Sequence, residues 1–159
     1  MIDQSEVIEL DLPAIYKYLN VLSECLAAML VRVEDLPEQE IQIYNIQLAV
    51  QEVCTNIVDH AYAGMEAGRI KVTLSLLESP KRLSIELRDT GNSFDPSLVA
   101  EPDLEVGQVH GFGLFLLRIL MDEVNYEPLY QSNCWRLIKV LEGPVQAKSL
   151  EDNSLPDKL

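Results

Sequence analysis

Positive charge is scarce in this sequence. Its 159 residues include 12 Lys and Arg against 26 Asp and Glu, which gives a formal net charge of −14. A surface this acidic repels phosphate backbones, so direct binding to DNA or RNA is not expected. Binding of a small nucleotide stays open, because a Mg²⁺ ion brings its own compensating charge.

Several sequence patterns are absent as well. The three cysteines, Cys25, Cys54 and Cys134, are odd in number and form no Cys-x-x-Cys pair, which favours reduced, mostly buried thiols and a cytoplasmic setting. The longest apolar stretch, residues 25–31, is too short to cross a bilayer, and the first residues do not read as a signal peptide. No membrane association is therefore expected. A Gly-x-x-x-x-Gly-Lys-Ser/Thr loop is also missing, which excludes a P-loop protein.

The hydrophobic pattern predicts strand, helix, helix, strand, strand, helix, strand, strand. The expected strands cover residues 6–12, 69–77, 82–89, 123–129 and 134–141, and the expected helices cover residues 14–33, 38–62 and 114–121. Pro13 is expected in the first turn of the first helix. Two hairpins with helices between them predict an α+β fold, with helices on one face of a mixed, mostly antiparallel sheet. We expect one domain over residues 1–141 and a polar, mobile tail over residues 142–159.

A first cluster of polar side chains lies on the second predicted helix. Glu52, Asn56 and His60 are spaced four residues apart, with Asp59 beside them, so they share one helix face. Taken alone, such a stripe is more commonly the solvated side of a helix. An Asn oxygen nevertheless suits Mg²⁺, and a Glu one turn away can accept a proton from a hydroxyl that attacks a phosphate.

Two further clusters contain glycine. Asp89 ends a predicted strand and can accept a hydrogen bond from the exocyclic amine of adenine, worth about 1.5–3 kcal/mol. Gly91, two residues later, lets a flat ring approach the backbone. Gly111 and Gly113 open the third helix, where free backbone N–H groups attract anions. Each pattern is common by itself, so the prediction depends on all three occurring in this order.

The three segments together resemble the motifs of the GHKL superfamily of ATPases and kinases. Residues 48–62 (LAVQEVCTNIVDHAY) resemble its N box, residues 87–96 (LRDTGNSFDP) its first glycine box and residues 111–126 (GFGLFLLRILMDEVNY) its second. The short chain and the Leu-Met-Asp-Glu-Val sequence at the end of the third helix most resemble the anti-sigma factor serine/threonine-protein kinases of bacterial partner-switching systems. The similarity covers about residues 5–141.

This resemblance implies a fold, an activity and partners. The fold would be a Bergerat-type α/β sandwich that binds ATP and Mg²⁺. Glu52 would act as general base toward a serine of an antagonist protein, of the anti-anti-sigma type, and Asn56 would hold Mg²⁺. The protein would form a homodimer and bind a sigma factor when the antagonist is phosphorylated.

The resemblance also implies the residues that contact the nucleotide. Asp89 would bind adenine, with Gly91 and Phe94 beside it. Residues 95–110 would form a lid over the ATP. The phosphate chain would be bound by His110, Gly111, Gly113 and Leu114.

The sequence departs from the family pattern at three places. Asn92-Ser93 replaces glycine-rich spacing in the first glycine box, and Asn133-Cys134-Trp135 stands where many relatives have a Gly-Thr turn. No Lys or Arg occurs between Arg88 and Arg118. Mg²⁺, backbone N–H groups and His110 would then be the groups that face the γ-phosphate.

Three functions stay open at this point. The chain can be a protein-serine kinase that also sequesters a sigma factor or similar regulator. It can be a non-catalytic module in which ATP sets the lid conformation and hence the affinity for a partner, and the missing lid cation favours this alternative. It can also be an interaction protein with a vestigial pocket, against which the joint presence of Glu52, Asn56, Asp89 and the glycines argues.

Overall fold

The computed structural model describes residues 5–94 and 112–143. The strands are β1 (Glu6–Pro13), β2 (Arg69–Leu77), β3 (Arg82–Asp89), β4 (Glu123–Leu129) and β5 (Ser132–Val140). The helices are α1 (Tyr16–Leu30), α2 (Gln39–Asn56) and α3 (Phe112–Leu120), and a π-helical turn (Ile57–Ala61) continues α2. The predicted order of elements is confirmed.

The strands form one sheet in the order β1-β2-β3-β5-β4. All four neighbouring pairs are antiparallel, so the described sheet contains no parallel pair, where a mixed, mostly antiparallel sheet was expected. Residues on β2 and β3 alternate between buried and more exposed, because one sheet face packs against the helices and the other faces solvent. The two-layer α+β architecture is thus as predicted, with the core between sheet and helices.

Pro13 was wrongly placed in the first helix. It is the last residue of β1 and pairs with Arg69 of β2. β1 is an edge strand, where a residue without an N–H group is tolerated. Ile15 is still extended, so α1 begins at Tyr16, two residues later than predicted. It also ends earlier, at Leu30.

The second helix has the predicted extent but a different geometry at its end. The amide of Tyr62 donates to the carbonyl of Ile57, at 3.2 Å, which is the wider i→i+5 pattern of a π turn. The apolar face of this helix packs into the core, where Ile46, Val50, Val53 and Ile57 are all buried. This helix end lies beside the segment that follows β3.

The cysteines and the chain end add two details. The three cysteines are free thiols, two of them buried, and burial raises the pKa of Cys54 to about 12. At the end of β5, the amide of Leu141 donates to the carbonyl of Lys81, at 2.9 Å. The amide of Lys81 donates to the Glu142 carboxylate, at 2.8 Å. Residues 144–159 lie outside the described part, so the boundary at 141/142 stays a prediction.

None of the described helices combines the length and the apolar character that crossing a bilayer requires.

Candidate nucleotide-binding site

Asp89 lies at the end of β3, where the chain leaves the sheet. It is 3% exposed. Its Oδ1 accepts hydrogen bonds from the amide of Gly91 and from Nδ2 of Asn133, both at 2.9 Å. Burial raises the pKa of the carboxyl group, and these two hydrogen bonds oppose the rise. Within the described residues, Oδ2 receives no hydrogen bond and is the oxygen left for a ligand.

Asn133 is a buried residue that the motif reading did not assign to the site. It pairs with Asp89 across β3 and β5 and is 1% exposed. Besides Asp89, its Nδ2 donates to the carbonyls of Gly91 and Asn92, at 3.0 and 3.3 Å. Its Oδ1 accepts from the Ser93 hydroxyl at 2.8 Å. The Asn133 side chain on β5 thus forms hydrogen bonds with each residue from Gly91 to Ser93.

Gly91 packs against the end of the second helix. A Cβ atom at this position would lie 2.3 Å from the Ala61 carbonyl oxygen, which is far inside contact distance. The same carbonyl accepts a hydrogen bond from the amide of Asn92, at 2.6 Å. A glycine is therefore needed for helix–loop packing. The predicted approach of an adenine ring to Gly91 is a separate point and stays a prediction.

Three aromatic rings line the site behind Asp89. Phe94 stacks on Trp135, with ring centroids 6.0 Å apart and planes at 27°. It meets Tyr126 edge-on, at 5.8 Å. The Tyr126 hydroxyl accepts a hydrogen bond from the Phe94 amide at 2.7 Å. Phe94 was predicted from its motif, whereas Tyr126 and Trp135 were missed. Aromatic faces suit a flat heterocycle.

Glu52 and Gly113 come together, although 61 positions separate them in the sequence. A Cβ atom at Gly113 would lie 2.9 Å from Oε2 of Glu52. The half-buried carboxylate of α2 therefore sits against the first turn of α3. This contact brings the first and third predicted clusters to one place.

The first and second clusters also meet, at a small cavity with about 10 Å³ of free space. Its lining residues are Asn56, Ile57, His60, Ala61, Asp89, Asn92, Phe94, Tyr126 and Trp135. This space admits about one water molecule, so a purine can enter only when lining side chains move. Phe94 is the last described residue before the segment predicted to be the lid.

The residues around this cavity offer few ligands for Mg²⁺. Within residues 5–94 and 112–143, no group of three or more His, Cys, Asp and Glu side chains can hold a metal ion. Asn56 is half-buried and offers one amide oxygen. Mg²⁺ needs six oxygen ligands, so it fits here together with phosphate and water oxygens rather than in a site made of protein alone.

Two of the predicted site residues, His110 and Gly111, lie outside the described residues, as does the predicted lid at 95–110. Leu114 belongs to the hydrophobic core at 9% exposure, so only its backbone is suited to contact a phosphate. Asp59 and His60 are both exposed, although His60 reaches the cavity.

The sequence and structure were compared with known proteins. Residues 12–139 match the model of the histidine kinase-like ATPase domain. Serine-protein kinase RsbW of Bacillus pumilus (strain SAFR-032) is 32% identical over 130 residues, which cover 77% of this chain and 78% of the relative. Serine-protein kinase RsbW of Bacillus cereus (strain AH820) is 33% identical over 132 residues, with 78% and 79% covered.

A solved structure supports the same fold. The RsbU and RsbW domains of Rv1364c from Mycobacterium tuberculosis align with a TM-score of 0.63 at 18% identity. The alignment covers 87% of this chain and 33% of that larger chain. Because the family model covers most of the chain and the curated relatives exceed 30% identity, the family is established. The chain belongs to the histidine kinase-like ATPase superfamily and, within it, to the anti-sigma factor serine/threonine-protein kinases.

Proposed function

We propose that this protein uses Mg²⁺-ATP to phosphorylate a serine of an antagonist protein in a partner-switching pathway. The contact between Glu52 and Gly113 supports this most directly. It places a carboxylate against the first turn of α3, where free backbone N–H groups attract phosphate. A general base beside a phosphate-binding helix start is the arrangement that transfer to a hydroxyl needs.

The nucleotide would be bound from three sides. Asp89 accepts a hydrogen bond from the adenine amine through Oδ2, and the aromatic rings behind it, including Phe94, contact the base. Asn56 would hold Mg²⁺ together with phosphate oxygens, and the ion would supply charge neutralisation. The phosphate chain would be bound by the backbone of Gly111, Gly113 and Leu114 and by His110.

Glu52 would act on the protein substrate, the antagonist. It is half-buried, so its carboxylate is accessible to a serine hydroxyl of a docked protein. In this assignment Glu52 orients the hydroxyl and accepts its proton. No reaction step is assigned to His60, which is exposed at the rim of the cavity.

A second candidate function is ATP-gated binding without phosphoryl transfer. It is favoured by one feature of the sequence, the lack of Lys and Arg between Arg88 and Arg118. Cationic side chains on the transferring phosphoryl group normally contribute a large catalytic term. In this alternative, ATP binding alone changes the affinity for the partner.

The proposed partners are proteins in the cytoplasm. They are the antagonist, a sigma factor and a second copy of this chain. The homodimer is supported by an apolar surface on β1 and α1, which we call the β1–α1 surface. It consists of Ile8, Tyr18 and Val21, which are 36–44% exposed. β1 is an edge strand with one side unpaired in the sheet, and such edges readily pair with another chain.

Nucleotide binding is tested by calorimetric titration with ATP, with and without Mg²⁺. The wild type is expected to bind ATP in a Mg²⁺-dependent manner. Asp89→Asn should weaken binding about tenfold or more, because it replaces a charge-assisted hydrogen bond. If the wild type does not bind ATP under either condition, the proposed function is wrong and the interaction-protein alternative becomes the leading one.

Phosphoryl transfer is tested with radiolabelled ATP and a purified antagonist protein. Glu52→Gln should keep ATP affinity and lose transfer by about 100-fold or more, the usual contribution of a general base. Glu40→Gln makes the same chemical change at an exposed position of α2 and should transfer like the wild type. Transfer that survives in Glu52→Gln contradicts the role of Glu52. Its absence from the wild type, with ATP-dependent antagonist binding, supports the second candidate.

A further inference from the structure

The two carboxylate oxygens of Asp89 differ in the hydrogen bonds that they receive from the surrounding protein. Its Oδ1 accepts two hydrogen bonds, from the Gly91 amide and from Nδ2 of Asn133, each at 2.9 Å. A carboxylate oxygen offers two lone-pair positions, so these two donors saturate Oδ1. Within the described residues, Oδ2 receives none. The carboxylate can therefore accept hydrogen bonds from a ligand through one oxygen.

Adenine and guanine place different demands on such a carboxylate. Adenine presents one exocyclic amine beside a ring nitrogen that is an acceptor, so a single carboxylate oxygen is enough. Guanine presents a ring N–H and an exocyclic amine side by side, and a carboxylate recognises this pair through both oxygens. Because Oδ1 is saturated, the contact with guanine through both oxygens is blocked. The contact with adenine through Oδ2 alone is not affected.

We propose that Asn133 is a specificity residue that makes the site select adenine over guanine nucleotides. It acts through Asp89: its amide occupies the second lone pair of Oδ1 and holds the carboxylate in one orientation. The proposal rests on the proposed nucleotide-binding function and adds to it the base that is chosen. Asn133 is a positioning residue, because it is 1% exposed and acts by hydrogen bonding to Asp89.

The hydrogen bonds of Asn133 fix the orientation of its side-chain amide toward Asp89, which is more specific than a general contribution to folding. Its Nδ2 has two hydrogens. One serves Asp89, and the other lies between the carbonyls of Gly91 and Asn92, at 3.0 and 3.3 Å. Its Oδ1 accepts from Ser93 at 2.8 Å. Every polar atom of the side chain is thus engaged with the segment after β3, so its amide cannot rotate away from Asp89 without breaking several hydrogen bonds.

The test compares the affinities of ATP and GTP in the presence of Mg²⁺. Binding is followed by calorimetry and by the fluorescence of Trp135, the single tryptophan of the chain, which lines the cavity. The wild type should prefer ATP. Asn133→Ala frees one lone pair of Oδ1 and should narrow that preference by about tenfold or more, the equivalent of one hydrogen bond to a charged group.

Two further variants separate specificity from stability. Asn133→Leu also lacks the amide but leaves less empty volume, so it serves if Asn133→Ala does not fold. It should narrow the preference in the same direction. Ser93→Ala removes a hydrogen bond to Asn133 but leaves both donors on Asp89, so its ATP-to-GTP ratio should equal that of the wild type.

The outcomes are distinct. Equal weakening of ATP and GTP in both Asn133 variants, with the wild-type ratio kept, would mean a structural role only and would overturn the proposal. A wild type that binds GTP as tightly as ATP would overturn it too. A wild type that binds neither nucleotide would refute the nucleotide-binding function itself, which is a different result from an unchanged ratio.

Discussion

Asp89 is an ionisable residue at the end of β3, and it is only 3% exposed. Burial raises its pKa, and the hydrogen bonds from Asn133 and Gly91 compensate in part. With a raised pKa, the folded protein binds this proton more tightly than the unfolded chain does. The ionised carboxylate therefore destabilises the fold at neutral pH, and a neutral side chain of the same shape should remove that cost.

We expect Asp89→Asn to raise Tm at neutral pH by a few degrees, since about 1 kcal/mol shifts a domain of this size by roughly 2–4 °C. As the pH falls toward the ordinary carboxyl pKa of about 3.9, wild-type Asp89 takes up its proton and gains stability that the variant cannot gain. The difference in Tm should therefore be largest near pH 7 and shrink on acidification. Thermal denaturation between about pH 7.5 and pH 4.5 measures it.

The control for this prediction is Asp59→Asn, which neutralises an exposed carboxylate in the π turn. The difference in Tm between Asp59→Asn and the wild type should not shrink in this way on acidification. A lower Tm for Asp89→Asn at neutral pH would mean that the two charge-assisted hydrogen bonds outweigh the cost of burial.

The site residues differ in how far the sequence alone could predict them. Asp89 and Gly91 stand within one short motif, so local spacing was enough to find them. Asn133 lies 44 positions from Asp89 and reaches it because β3 and β5 are neighbours in one register. Strand order and register depend on the packing of the whole sheet. The only sequence signal for Asn133 was the segment Asn133-Cys134-Trp135, which departs from the family pattern.

At the scale of elements, the site depends on two close approaches that glycine permits. At Gly91 the neighbour is backbone, the Ala61 carbonyl at the end of the π turn. At Gly113 the neighbour is the end of a flexible side chain, Glu52. The extent of the second helix was predictable from its apolar spacing. The π turn was not, because the position of Ala61 depends on its contact with the segment after β3.

These two glycines should respond differently to alanine. Gly91→Ala must displace backbone, so we expect a loss of about 1–3 kcal/mol in the free energy of unfolding and weaker ATP binding. Gly113→Ala moves only the Glu52 carboxylate, and alanine favours a helix over glycine by about 0.5–1 kcal/mol. Its stability should be close to that of the wild type, while transfer to the antagonist falls about tenfold or more because the base is displaced.

Urea denaturation and the transfer assay, run on both variants, check this contrast. ATP affinity serves as the control for Gly113→Ala and should change little. An unchanged free energy of unfolding in Gly91→Ala would show that the π turn can shift away from the loop. Full transfer activity in Gly113→Ala would show that the Glu52 position in the structure does not matter for the reaction.

At the scale of the whole molecule, the order of elements was sufficient to predict an α+β sandwich, because two hairpins and three amphipathic helices can bury their apolar faces in few ways. The position of β1 at an edge was not predictable, since an isolated strand can add at either side of a sheet. That position exposes the β1–α1 surface, which leaves three apolar side chains partly in solvent. The opposite edge is β4, which contains Pro128 and is therefore less suited to pairing.

We expect the protein to be a homodimer through the β1–α1 surface, measurable by sedimentation equilibrium over a range of concentrations. Val21→Glu places a charge within this surface and should shift the protein to monomer, because a buried unpaired charge costs several kcal/mol. Tyr130→Glu introduces the same charge at a side chain that is 91% exposed in the β4–β5 turn, and it should remain a dimer. If both variants stay dimeric, the interface lies elsewhere. If Tyr130→Glu alone becomes monomeric, the dimer forms at the β4 edge and the assignment to β1 is wrong.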